Sequence, residues 1–379
     1  MRDLIYRMKL RFMSYFYHFF PIKENKVVFI NFNGKGYGCN PKYIAEEMIR
    51  QNLGYDMVWL VNDMEEELPA PIRKARFLGR TGLYEIATAK VIVTNVKNEM
   101  FLAKKRGQYV IQTWHGAYGP KLVEKEVIDK LPPSYIKESI KNSKQTDLFL
   151  SNSKRLTQCY RESFWCECEI MECGLPRHDI LFTANKEEIN QKVRECFGVS
   201  KSDKLILYAP TFRDDGSLDA YDLPCEEILE ALGAEWKILL RLHPNVNQND
   251  VGYVYSERVI NGSIYPDIQD ILFAADILIT DYSDSVFAFS FLGKPTYIFA
   301  TDLEEYQKMR GMTKEYFEMP YKICETKEAL IEEISKYTPE GGKEAARKYV
   351  ELSGGMDDGN ASKRVVQRIV DVIEKRYKW

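Results

Sequence analysis

Short apolar runs alternate with longer amphipathic stretches along most of this chain. The clearest runs of its first half are Val27–Ile30, Met57–Val61, Val91–Thr94, Val110–Gln112 and Leu148–Leu150. Helical patterns such as Tyr43–Gln51 and Tyr84–Ala89 lie between several of them. This alternation predicts βαβ units and a mostly parallel sheet.

A second alternating series follows the turn Gly174-Leu175-Pro176-Arg177. Its clearest predicted strands are Leu205–Tyr208, Trp236–Leu242, Ile277–Thr280 and Thr296–Phe299. A final amphipathic helix is predicted over Ser362–Tyr377, with its valines and isoleucines on one face. The sequence therefore predicts two α/β domains, with the first ending shortly after Arg177.

The first 22 residues follow a different pattern, in which basic and aromatic residues are interleaved. On a helix, one stripe carries Ile5, Met8, Phe12, Phe16 and Phe19, and another carries Arg7, Arg11, Ser14 and His18. A basic, aromatic, amphipathic helix is typical of an element that lies on an anionic membrane surface. The alternative is a terminal helix packed on its own protein, and the pattern favours the membrane.

The stretch Tyr109–Gly116 reads as a buried strand that ends abruptly in a polar turn. Trp114 and His115 follow the strand, and Gly116 allows a sharp turn. Ligands bind at the carboxyl ends of strands in open α/β sheets, and an unperturbed imidazole titrates at about pH 6.5, close to working pH. His115 is thus a candidate for proton transfer, and a hydrogen-bonded turn residue is the equally supported alternative.

A glycine-rich loop follows the first predicted strand and precedes a helix. Its central residues, Gly34, Lys35, Gly36 and Tyr37, belong to the stretch Asn33–Pro41. The spacing is not that of a dinucleotide-binding loop. A ligand-binding loop and a tight connection are both open at this point.

Polar residues also follow three strands of the second series. They are Thr211, Arg213, Asp214 and Asp215 after the first, Arg241, His243 and Pro244 after the second, and Asp281, Tyr282, Ser283, Asp284 and Ser285 after the third. Parallel neighbouring strands would bring these ends together. The guanidinium groups of the arginines and the free N–H groups at a helix amino terminus can bind a phosphate. Asp284 is unfavourable at such a site unless it caps the helix and points away.

Composition narrows the classes of function. The chain has 379 residues and a net charge of −3, which gives no reason to expect nucleic acid as a partner. Its eight cysteines lack paired CxxC spacing and fit a reducing compartment better than a disulfide framework. No metal-ligand constellation stands out, and no apolar stretch is long enough to span a bilayer.

Four motifs in order resemble the CDP-glycerol glycerophosphotransferase family, which includes teichoic acid primases and polymerases and capsule-synthesis relatives. They are Gln112–Gly116, Tyr208–Arg213, Leu240–Pro244 and Ile279–Ser283. The resemblance implies a GT-B fold, in which two Rossmann-like domains face a central cleft. Together with the membrane-surface helix that the pattern predicts at 1–22, the expected domains are an acceptor domain at 23–182 and a CDP-donor domain at 183–379, whose last helix is expected to pack back across the cleft.

The resemblance further implies the reaction and its residues. Glycerol phosphate, or a similar polyol phosphate, passes from CDP-glycerol or CDP-ribitol to a hydroxyl of a lipid-linked or polymeric acceptor, and CMP leaves. His115 and His243 correspond to the family's essential histidines. Thr211, Arg213, Arg241, Asp281, Tyr282, Ser283 and Ser285 are expected on the donor side, and Gly34, Lys35, Gly36, Tyr37, Trp114 and Gly116 on the acceptor side. The expected location is peripheral, at the cytoplasmic face of a bacterial membrane.

Departures from the family pattern leave alternatives open. Asp284 stands where a second serine is usual, Ala288 follows Phe287 where an acid is usual, and His178 stands where asparagine is common. A GT-B sugar-nucleotide glycosyltransferase and an inactive GT-B-fold binding protein are the alternatives, and retention of both histidines argues against the latter. Mg²⁺ carried in with the CDP donor also stays open.

Overall fold

A computed structural model of the chain describes residues 2–97, 104–117, 119–183, 185–213, 216–243, 246 and 251–378. The chain divides into two compact units. The first comprises residues 1–115, 124–179 and 356–379, and the second comprises 116–123 and 180–355. Asp214, Asp215 and Pro244 lie outside the described residues.

The first unit is built on a seven-stranded parallel sheet in the order β3-β2-β1-β4-β5-β6-β7. The strands are β1 (Lys23–Ile30), β2 (Asp56–Val61), β3 (Arg73–Arg76), β4 (Ala89–Thr94), β5 (Tyr109–Gln112), β6 (Leu148–Ser151) and β7 (Glu169–Glu172). Helices cover both faces, so the central strands β1 and β4 are valine- and isoleucine-rich and fully buried at their carboxyl ends. The core includes Val28, Ile30, Leu60, Ile92 and Val110.

The helices of this unit are α1 (Arg2–His18), α2 (Cys39–Arg50), α3 (Arg80–Thr88), α4 (Pro133–Gln145), α5 (Lys154–Ser163) and, numbered last in the chain, α15 (Ala361–Ile373), with short 3₁₀ helices at Glu124–Lys130 and Pro176–His178. The α15 helix buries Val365, Val366, Ile369 and Val370, as its pattern predicts. The carboxylate of Asp179 accepts hydrogen bonds from the amides of Ala361 and Ser362 at its start.

The second unit contains a six-stranded parallel sheet in the order β10-β9-β8-β11-β12-β13. The strands are β8 (Lys204–Tyr208), β9 (Trp236–Leu240), β10 (Val259–Asn261), β11 (Ile277–Thr280), β12 (Thr296–Phe299) and β13 (Ile323–Cys324). Its helices are α6 (Ile180–Thr183), α7 (Lys186–Phe197), α8 (Cys225–Leu232), α9 (Ile268–Ala274), α10 (Ser285–Ser290), α11 (Leu303–Arg310), α12 (Lys314–Phe317), α13 (Lys327–Ile334) and α14 (Lys343–Ser353), with 3₁₀ turns at Asp219–Tyr221 and Gly262–Ile264.

The strand order places a switch point in each sheet, between β1 and β4 in the first unit and between β8 and β11 in the second. Chain connections leave in opposite directions on either side of such a point, which opens a crevice at the carboxyl ends of the strands. The predicted fold class, with two Rossmann-like units of GT-B type, is confirmed.

The α1 helix packs on α3 through one face and exposes aromatic rings on another. Leu10 and Ser14 are buried, and the Tyr17 ring meets the Tyr84 ring edge-on. The exposed side chains include Met8, Phe12, Tyr15, Phe16 and Phe19, with Phe12 75% and Phe19 87% exposed. Ser14 therefore faces the protein and not the basic stripe, because it lies one turn from Leu10; the side chains of Ile5, Arg7 and Arg11 lie outside the described part.

Within the described ranges, no helix combines the length and the apolar character that a bilayer-spanning segment needs.

Candidate active site

His115 lies just beyond β5, next to the end of β4. Its Nδ1 is 2.8 Å from the carbonyl oxygen of Asn95. Because a carbonyl can only accept a hydrogen bond, Nδ1 carries the proton, and the neutral ring has its lone pair on Nε2. The ring is half-buried between Phe32 and Trp114, with ring centres 5.4 and 4.4 Å away. This tautomer is the one that a general base needs.

A fully buried asparagine fixes the turn that carries His115. The side-chain amide of Asn40 donates to the carbonyls of Thr113 and Trp114, at 3.3 and 3.1 Å, and its oxygen accepts from the amide of Arg177 at 3.1 Å. The guanidinium of Arg177 in turn donates to the carbonyl of His115. Trp114 has a φ of 53°, a left-handed conformation that is costly for a side chain of this size. These bonds hold the strained turn.

The glycine-rich loop is held by hydrogen bonds within itself and to the segments after β2 and β4. The amides of Gly34 and Lys35 donate to the carbonyl of Asn31, and the Asn31 side chain returns bonds to the carbonyls of Lys35 and Gly36. A Cβ at Gly34, whose φ is 86°, would lie 2.8 Å from Phe77. The tight connection explains Gly34, and an acceptor-side role of Gly34, Lys35, Gly36 and Tyr37 stays a prediction. The Lys35 side chain is exposed, and burial raises the pKa of Tyr37.

The strand ends of the second unit meet in a buried network of charges. Arg213, 1% exposed, pairs with Asp281 at 2.8 Å and with Asp302 at 2.6 Å. Asp281 also accepts from the amide of Thr211, and the Tyr282 hydroxyl donates to Asp302 at 2.9 Å. Burial, followed by the charge of Asp302, raises the pKa of Tyr282, so this donor stays protonated.

The burial of this network determines which side chains of the second unit can contact a ligand. Arg213 and Tyr282 are enclosed and already bonded, so they position the loop that carries Thr211. The Thr211 hydroxyl is buried and has no hydrogen-bond partner among the described residues. Ser283 is partly exposed, and the Ser285 hydroxyl donates to its oxygen at 3.0 Å. These three hydroxyls are the groups at this edge best suited to meet a phosphate.

Two residues of the predicted donor side have other arrangements. The guanidinium of Arg241 donates to the carbonyls of Gly262, Tyr265 and Pro266 at 3.1, 2.5 and 3.3 Å, which anchors the turn after β10. His243 is exposed, with its ring 5.5 Å from that of Phe212. A direct contact of Arg241 or His243 with a donor stays a prediction.

Asp284 does not cap α10. Its carboxylate accepts a bond of 2.7 Å from the amide of Ala117, two residues after His115. Lys121, further along the same segment, lies close enough to Asp281 and Asp284 for both charges to act on it. Burial lowers the pKa of Lys121, and the two carboxylates oppose that shift. A partly dehydrated lysine at this edge is a candidate partner for a phosphate.

The family model for CDP-glycerol:poly(glycerophosphate) glycerophosphotransferases matches residues 12–371. The chain belongs to this family. The identification made from the four motifs is therefore confirmed, and with it the assignment of the chain as an enzyme of the glycerophosphotransferase type.

Individual members of the family are similar over most of the chain. A teichoic acid poly(glycerol phosphate) polymerase of Bacillus spizizenii is 29% identical over 366 residues, which cover 92% of this chain and 93% of that protein. Its namesake in Bacillus subtilis is 31% identical, but the match covers 83% of this chain and only 44% of that longer protein. The wall teichoic acid polymerase TagF, in a structure solved after a soak with CDPG, superposes with a TM-score of 0.87 at 26% identity, covering 100% of this chain and 98% of that one.

Several functional candidates were missed by the sequence interpretation of this glycerophosphotransferase. They are Asn40, Asn95, Lys121, Arg177 and Asp302. Asn40 and Arg177 lie in stretches singled out for their glycines and prolines, so their positions could have been noticed. Asn95 acts through its backbone carbonyl, which no residue type reveals. Among the described residues, no cluster of histidines, cysteines and acids could hold a metal ion.

Proposed function

We propose that this protein transfers glycerol phosphate from CDP-glycerol to a hydroxyl of a lipid-linked or polymeric teichoic acid acceptor. The acceptor oxygen attacks the phosphorus that bears glycerol, the bond to the CMP phosphate breaks, and CMP leaves with that electron pair. The family match over residues 12–371 is the observation that carries this proposal.

In this proposal His115 is the general base. Its lone pair on Nε2 accepts the proton of the acceptor hydroxyl, while the Asn95 carbonyl holds the ring and stabilises the imidazolium that forms. His243 stabilises charge on the donor phosphates. Phosphoryl transfer depends mainly on positioning and electrostatics, so the donor hydroxyls of the second unit and Lys121 supply the remaining stabilisation.

The assignment of donor and acceptor to the two units belongs to the same proposal. The donor is expected at the second unit, where Thr211, Ser283, Ser285 and Lys121 present hydroxyls and a cation. The acceptor is expected at the first unit, where Trp114 and His115 follow β5, and at Gly116, the next residue in the chain. The described residues contain no metal-ligand cluster, and Mg²⁺ would arrive bound to the donor phosphates.

Similarity to ribitol-phosphate polymerases supports CDP-ribitol as an alternative donor. Teichoic acid ribitol-phosphate polymerases of Bacillus spizizenii and Staphylococcus aureus are each 28% identical to this chain over more than 90% of its length. Glycerol and ribitol differ only in the length of the polyol, so CDP-ribitol is the competing donor.

The exposed face of α1 supports the proposed location of the reaction. Its exposed aromatic face, with Phe12, Phe16 and Phe19, supports a peripheral position on a membrane surface, where lipid-linked acceptors are found. The inner face of α1 packs on α3, so the helix is part of the first unit and presents its other face outward.

The decisive experiment is an assay of nucleotide release with a panel of donors. The purified protein is incubated with CDP-glycerol, CDP-ribitol or a UDP-sugar, each with a lipid-linked acceptor. We expect CMP release from CDP-glycerol and growth of the acceptor by one or more glycerol phosphates. Release of UDP, with no CMP from either CDP donor, would instead support a sugar-nucleotide glycosyltransferase.

A further inference from the structure

A cavity of about 470 Å³ opens in the first unit, within the roughly 300–1,000 Å³ that is usual for small-molecule sites. Its wall includes Asn33 after β1, Phe77 after β3 and Lys97 after β4. The α4 helix closes the opposite side with Ser134 and Ser139. The cavity therefore lies at the carboxyl edge of the sheet, beside the switch point between β1 and β4.

The charged groups of this cavity are already neutralised. The ammonium of Lys97 is 2.6 Å from a carboxylate oxygen of Glu124, and both side chains are buried. The other oxygen of Glu124 accepts from the Tyr135 hydroxyl at 2.6 Å. Glu138 pairs with Lys141 at 3.5 Å. Lys97 is the cation among the described residues of this wall and is already paired with Glu124, so the cavity suits an uncharged ligand better than a phosphate.

Two polar atoms of the wall, the Ser139 hydroxyl and one carboxylate oxygen of Glu138, are buried without a hydrogen-bond partner among the described residues. Ser139 is 1% exposed, and its hydroxyl has no partner among the described residues. A buried hydroxyl without a partner is unfavourable unless a ligand or a water bonds to it. Apolar surface from Phe77 and Leu78 lines the same space. A few polar groups beside apolar faces are the combination that recognises a polyhydroxylated ring.

The cavity also borders the helix with the exposed aromatic face. The Tyr6 hydroxyl of α1 donates to the carbonyl of Leu78 at 2.7 Å, and Leu78 lines the cavity. A molecule that is anchored in a membrane beneath α1 would therefore reach this cavity with the part nearest its lipid.

We propose that this cavity binds an uncharged sugar ring of the acceptor, on the lipid side of the hydroxyl that reacts. The inference rests on the proposed function, since it assigns a site for the non-reacting part of that acceptor. Ser139 would bond a ring hydroxyl, and Phe77 and Leu78 would cover an apolar face of the ring. The cavity thus selects a lipid-linked saccharide over a bare polyol phosphate chain.

The test uses two tryptophan variants on one helix. Ser134 and Lys137 are both exposed on α4, but only Ser134 lines the cavity. Ser134→Trp fills the cavity entrance, and Lys137→Trp is the matched control. Two acceptors are compared: an octyl-linked disaccharide that ends in glycerol phosphate, and a glycerol phosphate trimer without sugar.

With the disaccharide acceptor, Ser134→Trp should raise the KM at least about tenfold, with the KM for CDP-glycerol unchanged. The trimer should be used equally well by both variants and by the wild type. Equal KM values for the disaccharide in all three proteins would overturn the proposal. An effect of Ser134→Trp on both acceptors alike would also contradict it, since the site would not then be specific for the sugar.

A binding measurement separates this inference from the proposed function. Ligand-observed NMR with the octyl disaccharide, in the absence of any donor, should show saturation transfer with wild type and Lys137→Trp and little with Ser134→Trp. If CMP is never released but this pattern holds, the proposed reaction fails and the sugar site stands. Equal transfer in all three proteins removes the site whatever the activity.

Ser139→Ala adds a readout that a purely structural role would not give. Removal of an unpartnered hydroxyl should leave the melting temperature unchanged or raise it, whereas disaccharide binding should weaken several-fold. A lower melting temperature with unchanged binding would show that Ser139 is bonded within the protein, and would remove it from the site.

Discussion

The two units place different chemistry at the same edge of the same kind of sheet. Directly at the ends of β1, β4 and β5, the first unit is joined by uncharged groups: the side chains of Asn31 and Asn40 and the carbonyl of Asn95, which accepts a hydrogen bond from the His115 ring. The second unit holds buried charges, with Arg213 between Asp281 and Asp302. A hydroxyl that must lose a proton suits the first environment, whereas the second unit can offer an anionic diphosphate the hydroxyls of Thr211, Ser283 and Ser285 and the ammonium of Lys121.

The same sheet architecture can therefore support proton transfer in one unit and charge stabilisation in the other. Asn31 and Asn95 join the ends of β1 and β4 directly, with 2.7 Å between the Asn95 amide and the Asn31 oxygen. In the second unit, Asp281 plays the corresponding role, because it joins the end of β8 to the end of β11 through the amide of Thr211. The hydrogen bond that links the two strand ends is therefore made by uncharged amides in the first unit, whereas a carboxylate accepts it in the second.

The largest effect is expected at His115. His115→Asn keeps a side-chain N–H that can donate to the Asn95 carbonyl but removes the lone pair that accepts a proton. Turnover should fall by about 10²–10⁴-fold, the usual contribution of a general base. The measurement is CMP release at saturating CDP-glycerol and acceptor.

The pH dependence of the wild type provides the accompanying check. An ordinary imidazole is protonated below about pH 6.5, so the rate should decline below that value as the base is lost. The residual rate of His115→Asn should lack this decline. A wild-type rate that is flat from pH 5.5 to 8 would return His115 to the role of a turn residue.

The second largest effect is expected on stability, at the network of Arg213, Asp281 and Asp302 in the second unit. Arg213→Met leaves the buried Asp281 and the partly exposed Asp302 without their shared cation, which should cost about 3–5 kcal/mol of unfolding free energy. Urea denaturation of this variant measures the loss. Lys308→Met is the control, since Lys308 and its partner Glu304 are both exposed, and its change should stay below about 1 kcal/mol. Similar losses in both variants would show that the buried network contributes no more than a surface pair.

A smaller effect is expected at the unpartnered hydroxyl of Thr211. Thr211→Val removes the hydroxyl and keeps the shape, so a lost bond to a donor phosphate should weaken CDP-glycerol binding by about three- to tenfold, equivalent to roughly 0.5–1.5 kcal/mol. Thr211→Ser keeps the hydroxyl and should bind nearly as well as wild type. Steady-state KM for the donor decides between them. Equal values for the Val and Ser variants would place the hydroxyl outside the donor site.

The smallest effect on catalysis is expected on the outer face of α1. Phe12→Ser with Phe16→Ser removes apolar side chains that are 75% and 55% exposed. Sedimentation with liposomes that contain anionic lipid should show weaker binding, while turnover on a soluble acceptor stays normal. Undiminished sedimentation would contradict a membrane role for this face.

The sequence predicted the two sheets well because the strand runs are apolar and their ends are polar. Val91–Thr94 and Ile277–Thr280 are buried on both faces of their sheets, and for this reason they appear in the sequence as short, continuous apolar runs. The order of the strands could not be read in this way, since β1 pairs with β4 through contacts that lie more than 60 residues apart in the chain. The motifs supplied the candidate site residues, and the sheet order explains why they lie together within each unit.

The roles of individual site residues were harder to predict than their positions. Arg213 looks like a phosphate ligand in the sequence, but it is enclosed by an aspartate 89 residues away, Asp302. Arg241 likewise donates to carbonyls of a turn that no local pattern connects to it. Residue type predicts which chemistry a side chain can do, whereas burial and long-range partners decide whether it meets a ligand.

The central claim is that charge in the second unit holds the donor, while His115 in the first unit acts on the acceptor proton. Isothermal titration of CDP-glycerol into His115→Asn and Lys121→Met tests this claim most directly. We predict a donor Kd within about twofold of wild type for His115→Asn, and a Kd at least about tenfold higher for Lys121→Met, since a charge-assisted bond to phosphate contributes about 1.5–3 kcal/mol. Loss of donor binding in His115→Asn, with unchanged binding in Lys121→Met, would contradict the account.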